Sequence, residues 1–131
     1  EGDILKNGVV YIAPGGKHMR VVKKGTDYCI KLSDEPAIDG LRPCANVMYE
    51  SLEKCQYDEI TCVVLTGMGA DGTKGIQGLA AHHKKLHVIA QDADTCVVYG
   101  MPKAIAQTGL VDEVVPLGSV AETITKNVGV S

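Results

Sequence analysis

Glu59-Ile60-Thr61-Cys62-Val63-Val64-Leu65-Thr66-Gly67-Met68-Gly69-Ala70-Asp71-Gly72-Thr73-Lys74-Gly75 decides how this chain is read. Residues 60–65 form a short apolar run rich in β-branched side chains, which predicts a strand buried on both faces. Four glycines follow within nine residues, at 67, 69, 72 and 75, and then Ile76, Leu79, Ala80 and His83 recur at helical spacing. Strand, glycine turn and helix in that order is where α/β proteins bring free backbone amides close to a ligand. Between Gly67 and Gly72 only Asp71 can ionise.

The flanking sequence extends the pattern on both sides. Upstream, Cys44, Val47, Met48, Ser51, Leu52 and Cys55 keep the i, i+3, i+4, i+7 rhythm of an amphipathic helix, with Pro43 in its first turn. Downstream, residues 87–91 read as a strand and 92–100 as a loop or short helix. Met101-Pro102 opens a helix through about 107 that Gly109 stops. Residues 111–115 form a last strand, and Val120, Ala121, Ile124 and Val128 mark a terminal helix. Helix–β–α–β–α–β–α of this length predicts a parallel sheet with right-handed crossovers and helices on both faces, an α/β three-layer fold. The first third differs. Residues 9–13 read as a strand paired with 18–22, and 28–32 as a third strand, so an antiparallel hairpin precedes the parallel unit. Residues 33–41, rich in polar residues with Pro36 and Gly40, read as loop.

Composition narrows the classes of function. The chain has 131 residues, 45% apolar and 22% charged, with a formal net charge of −3. That suits one globular domain and provides no basic footprint for nucleic acid. With five Tyr and no Phe or Trp, base-stacking platforms are excluded and the core falls to aliphatic side chains. No apolar run reaches transmembrane length, so membrane insertion is not expected. The five cysteines (29, 44, 55, 62 and 96) lack C-x-x-C spacing and read as small buried hydrophobes, neither a disulfide framework nor a metal site. Opening at Glu1-Gly2-Asp3 rather than Met, the chain reads as a piece of something longer.

Three readings of the glycine turn stand side by side. Gly67-x-Gly69-x-x-Gly72 satisfies a dinucleotide fingerprint, with Asp92 twenty residues beyond as the ribose-binding acid. Against it, Asp71 would lie beside a pyrophosphate, and two unit charges ~4 Å apart repel by about 4 kcal/mol at an effective dielectric near 20. The second reading makes Asp71 the third member of a nucleophile–His–Asp triad, with amides such as those of Met68 and Gly69 as oxyanion donors. The third makes Asp71 a cap on the helix that follows. For the triad, the chain lacks the other members. His18 falls in the hairpin, His82 and His83 end a helix beside lysines, and His87 starts a strand, while no Ser sits on a G-x-S-x-G elbow.

Several blocks together resemble a known family. They are Val63-Val64-Leu65-Thr66-Gly67-Met68-Gly69-Ala70-Asp71-Gly72, Val88-Ile89-Ala90-Gln91-Asp92, Cys96-Val97-Val98-Tyr99-Gly100-Met101-Pro102-Lys103-Ala104 and Val114-Val115-Pro116-Leu117, with Gly8-Val9-Val10-Tyr11-Ile12-Ala13-Pro14-Gly15-Gly16-Lys17-His18 upstream. The chain is similar over nearly its whole length to the catalytic domain of CheB-type chemotaxis protein-glutamate methylesterases. The resemblance implies the C-terminal part of an incomplete doubly wound domain that hydrolyses glutamate γ-methyl esters, and in many members deamidates glutamines, on chemoreceptor helices in the cytoplasm. It implies no cofactor. It also implies a Ser-His-Asp triad whose Ser and His precede this chain, with Asp71 as its carboxylate. Gly67, Met68 and Gly69 then form the active-site loop, Met68 beside the oxyanion site. A phosphorylatable receiver domain would lie further upstream, and the missing βαβ part would leave a sheet edge open to the rest of the domain or to a second copy. The chain departs from the family's usual residues at Leu41, Cys44, Ala45 and Asn46, near the expected substrate entrance.

Overall fold

Two sheets of opposite type divide the chain, and one helix joins them. The computed structural model describes residues 1–82 and 84–129. β1 (His18–Lys24) and β2 (Asp27–Ser33) form an antiparallel hairpin with Val21 opposite Ile30. β3 (Glu59–Val64), β4 (Lys85–Gln91) and β5 (Glu113–Val115) form a parallel sheet in the order β3-β4-β5. Helices α1 (Ala45–Leu52), α2 (Thr73–Ala81), α3 (Met101–Ala106) and α4 (Val120–Val128) alternate with these strands as the sequence predicts, with a 3₁₀ turn at Leu117–Ser119 ahead of α4.

The apolar periodicities become the core. Cys62 and Val64 of β3 and Val88 and Ala90 of β4 pack against Ile76 and Leu79 of α2 and Ile105 of α3, all buried. In β4 the consecutive residues Val88, Ile89, Ala90 and Gln91 are all buried. Alternate side chains leave opposite faces of a strand, so β4 is covered on both. A second cluster holds Val21, Ile30 and Cys55 under the hairpin, and Leu52 of α1 reaches both clusters.

The structure corrects the expected organisation in three places. Residues 9–13 form no strand, and Val10 and Ile12 are each 85% exposed. β-branched composition favours extended backbone, but a strand requires an edge that supplies ladder bonds. The outer edge of β2 is taken by residues 2–5 instead, through bonds such as Gly2 N to Ile30 O and Leu5 N to Tyr28 O. The hairpin is therefore β1–β2, not 9–13 with 18–22. β3 is the edge strand of its sheet among the described residues; its Ile60, Thr61 and Val63 are half-buried and Leu65 beyond it is 40% exposed, so the strand buried on both faces is β4. Pro43 lies outside the first turn of α1, one residue ahead of its N-cap Cys44. The helical rhythm ascribed to His83 falls outside the described residues.

Two features of the packing are testable. A Cβ on Gly75 would stand 2.6 Å from Tyr49 Cβ and 3.1 Å from Asn46 Cα, so α1 and α2 can approach only because this residue has no side chain. Gly75→Ala gains helix propensity of up to about 1 kcal/mol. It also forces the helices apart at a cost of roughly 1–3 kcal/mol. We expect net destabilisation, seen as a lower urea midpoint at unchanged m-value. At the far end of the sheet, the Glu113 carboxylate pairs with His87 Nε2 at 2.6 Å and accepts a hydrogen bond from Asn127 Nδ2 at 3.0 Å, fastening α4 to β4 and β5. The bond to His87, then that from Asn127, holds Glu113 below its ordinary value of 4.5. A carboxylate depressed in the folded state contributes stability above its unfolded pKa and loses it as pH falls through the folded one. The thermal midpoint should therefore decline on acidification below about 4.5, and Glu113→Gln should flatten that decline.

Candidate active site

The half-buried Asp71 stands between β3 and α2 with its carboxylate turned toward the start of α1. Oδ2 accepts a hydrogen bond from Ala45 N at 2.7 Å; Oδ1 accepts from Asn46 N at 3.1 Å and from the Cys44 thiol at 3.2 Å. The first amides of a helix have no partner inside it, and their dipoles favour a negative group. Cys44, the N-cap of α1, makes no side-chain cap bond, so Asp71 supplies the acceptors from another part of the chain. Asn46 returns the arrangement. Its Oδ1 accepts from Gly72 N at 3.0 Å and Gly75 N at 2.9 Å, in the first turn of α2, whose N-cap Gly72 has no side chain. Asp71 thus caps the preceding helix, not the following one as a local reading of the sequence has it. The turn between β3 and α2 takes left-handed backbone at Gly69 (φ 85°) and Gly72 (φ 95°), which glycine adopts without steric cost.

A second clamp holds the other side of the loop. Thr66 Oγ1 accepts from Val98 N and donates to Val98 O, and Thr66 N donates to Oε1 of the buried Gln91. Gly67 O accepts from Gly100 N at 3.1 Å and Met101 N at 2.9 Å, the start of α3. A Cβ on Gly100 would sit 2.7 Å from that oxygen, so the contact requires glycine. The 66–72 and 99–102 blocks singled out in the sequence are therefore one structural unit. Met68 projects into solvent, 84% exposed, and among the described residues the amides of Met68 and Gly69 have no acceptor.

Asp71 opens onto a cleft of about 490 Å³ whose walls include Ile38, Leu41, Cys44, Asn46 and Met68. Its lip is a two-residue hairpin within 33–41, a stretch whose composition predicts loop. Ile38 and Leu41 exchange backbone bonds of 2.9 Å around Asp39 (φ 51°) and Gly40 (φ 79°). Asp-Gly with both φ positive is the type I′ turn such hairpins favour, and that dipeptide was the available signal.

The remaining candidates are engaged elsewhere. His18 is 1% exposed; its Nδ1 accepts from Cys44 N at 3.3 Å, which leaves Nε2 to donate to Pro36 O at 3.0 Å. His82 bonds Gly78 O and His87 pairs with Glu113, while His83 lies outside the described residues. No described histidine reaches Asp71. Asp92 holds its own turn by accepting from Thr95 N and Oγ1, and the amides of Gly72 and Gly75 that a pyrophosphate would use are occupied by Asn46. The dinucleotide reading finds neither a cradle nor an acid aimed at the loop. Among the described residues no group of three or more His, Cys, Asp or Glu could hold a metal ion, and no helix is long and apolar enough to cross a membrane.

A family model described as CheB methylesterase matches residues 1–124. The chain belongs to the CheB methylesterase family. It is 42% identical over 130 residues to a protein of Desulfotalea psychrophila named protein-glutamate methylesterase/protein-glutamine glutaminase, covering 98% of this chain and 35% of that protein. A Lawsonia intracellularis protein of the same name is 45% identical over 123 residues, covering 94% of this chain and 34% of that one. The chain thus spans about a third of the length of the curated relatives it matches. The crystal structure of the Thermotoga maritima CheB methylesterase catalytic domain superposes with a TM-score of 0.87 at 33% identity, over 96% of this chain and 66% of that one. The antiparallel hairpin followed by a parallel α/β unit is thus the CheB catalytic fold.

Within this CheB fold the sequence located Asp71, Gly67, Met68 and Gly69 on one loop, and the structure places them there. It missed what holds them: the Cys44 thiol, the first amides of α1 and Asn46. The partners lie 25 to 29 residues apart in the sequence, so no local pattern signals them. Burial, and then the bond to Asp71, push the Cys44 thiol above its usual range, which keeps it a protonated donor. Burial alone raises Cys62 to about 11. Of the five cysteines only Cys96 is partly exposed. Titration of the folded chain with Ellman's reagent should show one fast thiol, and Cys96→Ser should remove it.

Proposed function

We propose that this chain is the C-terminal portion of a protein-glutamate methylesterase catalytic domain, and that Asp71 is the carboxylate of a Ser-His-Asp triad. The observation that supports this most is the state of Asp71: fixed by three donors, it borders an open cleft with Oδ2 holding a single hydrogen bond. A carboxylate oxygen has room for more than one donor, so Oδ2 is the atom to accept an imidazole Nδ1–H. In this reading the Ser and His come from the part of the domain outside this chain. The Ser hydroxyl attacks the ester carbonyl while the His takes its proton, and the His then protonates departing methanol. Water attack on the acyl-enzyme, with the same His as base, releases the glutamate. Asp71 orients the ring and stabilises the imidazolium at each step. The amides of Met68 and Gly69 are the candidate oxyanion donors.

The substrate side follows from the same surface. Ile38, Leu41 and Met68 give the cleft an exposed apolar rim, suited to the apolar face of an amphipathic receptor helix that presents a modified glutamate or glutamine. The free edge of β3 is where the rest of the domain would join the sheet; a second copy is the other candidate for that edge. A receiver domain in cis, regulation through a phosphorelay and action in the cytoplasm complete the proposal.

The three bonds to α1 also favour a second reading, a non-catalytic CheB-like domain in which Asp71 is a cap alone. One substitution separates them, made in the protein encoded by the complete reading frame. In Asp71→Asn the side-chain amide must face at least one donor of α1, whichever way it is flipped, so either reading predicts destabilisation of about 1–3 kcal/mol. Only the triad also predicts turnover of a methylated receptor falling by about 10⁴-fold in the protein that remains folded. Near-normal methanol release from folded Asp71→Asn protein would reject the triad assignment.

A further inference from the structure

We propose that Asn46 is a positioning residue for the esterase reaction, acting through the turn that carries Asp71. The inference rests on Asp71 being the His-orienting carboxylate, and it concerns how that carboxylate keeps its place. Asn46 takes part in both directions of the exchange between the two helices. Its backbone amide donates to Asp71 Oδ1, and its side-chain Oδ1 accepts from Gly72 and Gly75, the residues one and four beyond Asp71. Gly72 has left-handed backbone and no side chain; Thr73 N bonds Ala70 O at 3.2 Å across it, but among the described residues the Gly72 amide itself is held only by Asn46. The two bonds to Asn46 tie this hinge to α1, the same helix whose amides Asp71 grips.

The chemistry of the side chain matters as much as its place. A single oxygen must accept two amides, which the short hydroxyl of Ser does not reach as well and an apolar group cannot do at all. Glycine at 75 lets the α1 backbone come near enough for both bonds to form. An amide supplies this acceptor without placing a second negative charge beside Asp71. Loss of the acceptor leaves the turn with its own Thr73 N–Ala70 O bond but unties it from α1, and displacement of an orienting carboxylate by about 1 Å costs on the order of 10²-fold in rate.

The test uses the protein encoded by the complete reading frame and methylated receptor as substrate. Asn46→Ala should lower kcat by about 10²-fold with KM within about twofold, measured per folded molecule after active-site titration. Asn46→Asp, which retains the acceptor oxygen but adds a negative charge beside Asp71, should exceed Asn46→Ala in kcat by about tenfold without reaching the parent. If Asn46→Ala does not fold, Asn46→Ser takes its place, with about a tenfold loss expected. The proposal is overturned if kcat per folded molecule stays within threefold of the parent in Asn46→Ala or Asn46→Ser. It is equally overturned if Asn46→Asp is as impaired as Asn46→Ala. Asp71→Asn, run in parallel, reports separately on the triad: full activity there would remove the reading beneath the proposal, whereas loss there with normal Asn46→Ala would remove the proposal alone.

Discussion

Two helices that cannot cap themselves begin beside each other, and each supplies the other's missing acceptor. α1 starts at a cysteine and α2 at a glycine, neither of which makes a side-chain cap bond. Asp71, just ahead of α2, accepts the amides of Ala45 and Asn46, and Asn46, inside α1, accepts those of Gly72 and Gly75. Orphan amides at a half-buried helix start are costly when left without acceptors. The exchange satisfies four of them with two side chains. It also sets the distance between the helices, and with it the walls of the cleft.

The exchange is asymmetric in charge. The carboxylate faces the amides of α1, where the helix dipole and the thiol of Cys44 both favour a negative acceptor. The neutral amide faces α2. With a carboxylate on each side, the pair would gain dipole interaction at both helices but bring two like charges into one half-buried site. A single anion with three donors has no such conflict, and its remaining lone pair is directed by bonds already made. Preorganisation of this kind is what the orienting role proposed for Asp71 would require, because the geometry is established within this chain.

How much of this was legible in the sequence depended on how far apart the interacting residues lie. Periodicity within ten residues identified α1, the strand at residues 60–64, the glycine corner and the alternation through α4, since local patterns report which face is apolar. The capping partners are separated by 25 to 29 residues, and no local rule links Asn46 to Gly72 or Asp71 to Ala45. The nearest local rule pointed to the wrong helix. Strand assignment failed at residues 9–13 for a related reason: Val9, Val10 and Ile12 have the composition of a strand, but the 18–22 segment they were expected to pair with is taken by β2, and the outer edge of β2 by residues 2–5. Likewise the apolar run 60–65 cannot say whether its neighbours flank it on one side or two. His18 read as a hairpin side chain; only the fold shows it buried against Cys44.

That histidine makes the antiparallel hairpin part of the site. Pro36 O, the His18 ring, the Cys44 amide, the Cys44 thiol and Asp71 form an unbroken line of contacts from the segment after β2 to the carboxylate. Pro36 lies two residues ahead of the Ile38–Leu41 lip, so the lip, the hairpin and Asp71 share one set of constraints. The His18 ring, nearly free of solvent, has both nitrogens committed, and the thiol beyond it is buried and remains a donor. A displacement of the lip would therefore strain either the bond at Pro36 or the contact at Cys44 before reaching Asp71. The Ile38–Leu41 rim of the cleft and Asp71 are held by the same side chains, so in the esterase proposed above the substrate's seat and the orienting carboxylate would keep a fixed separation.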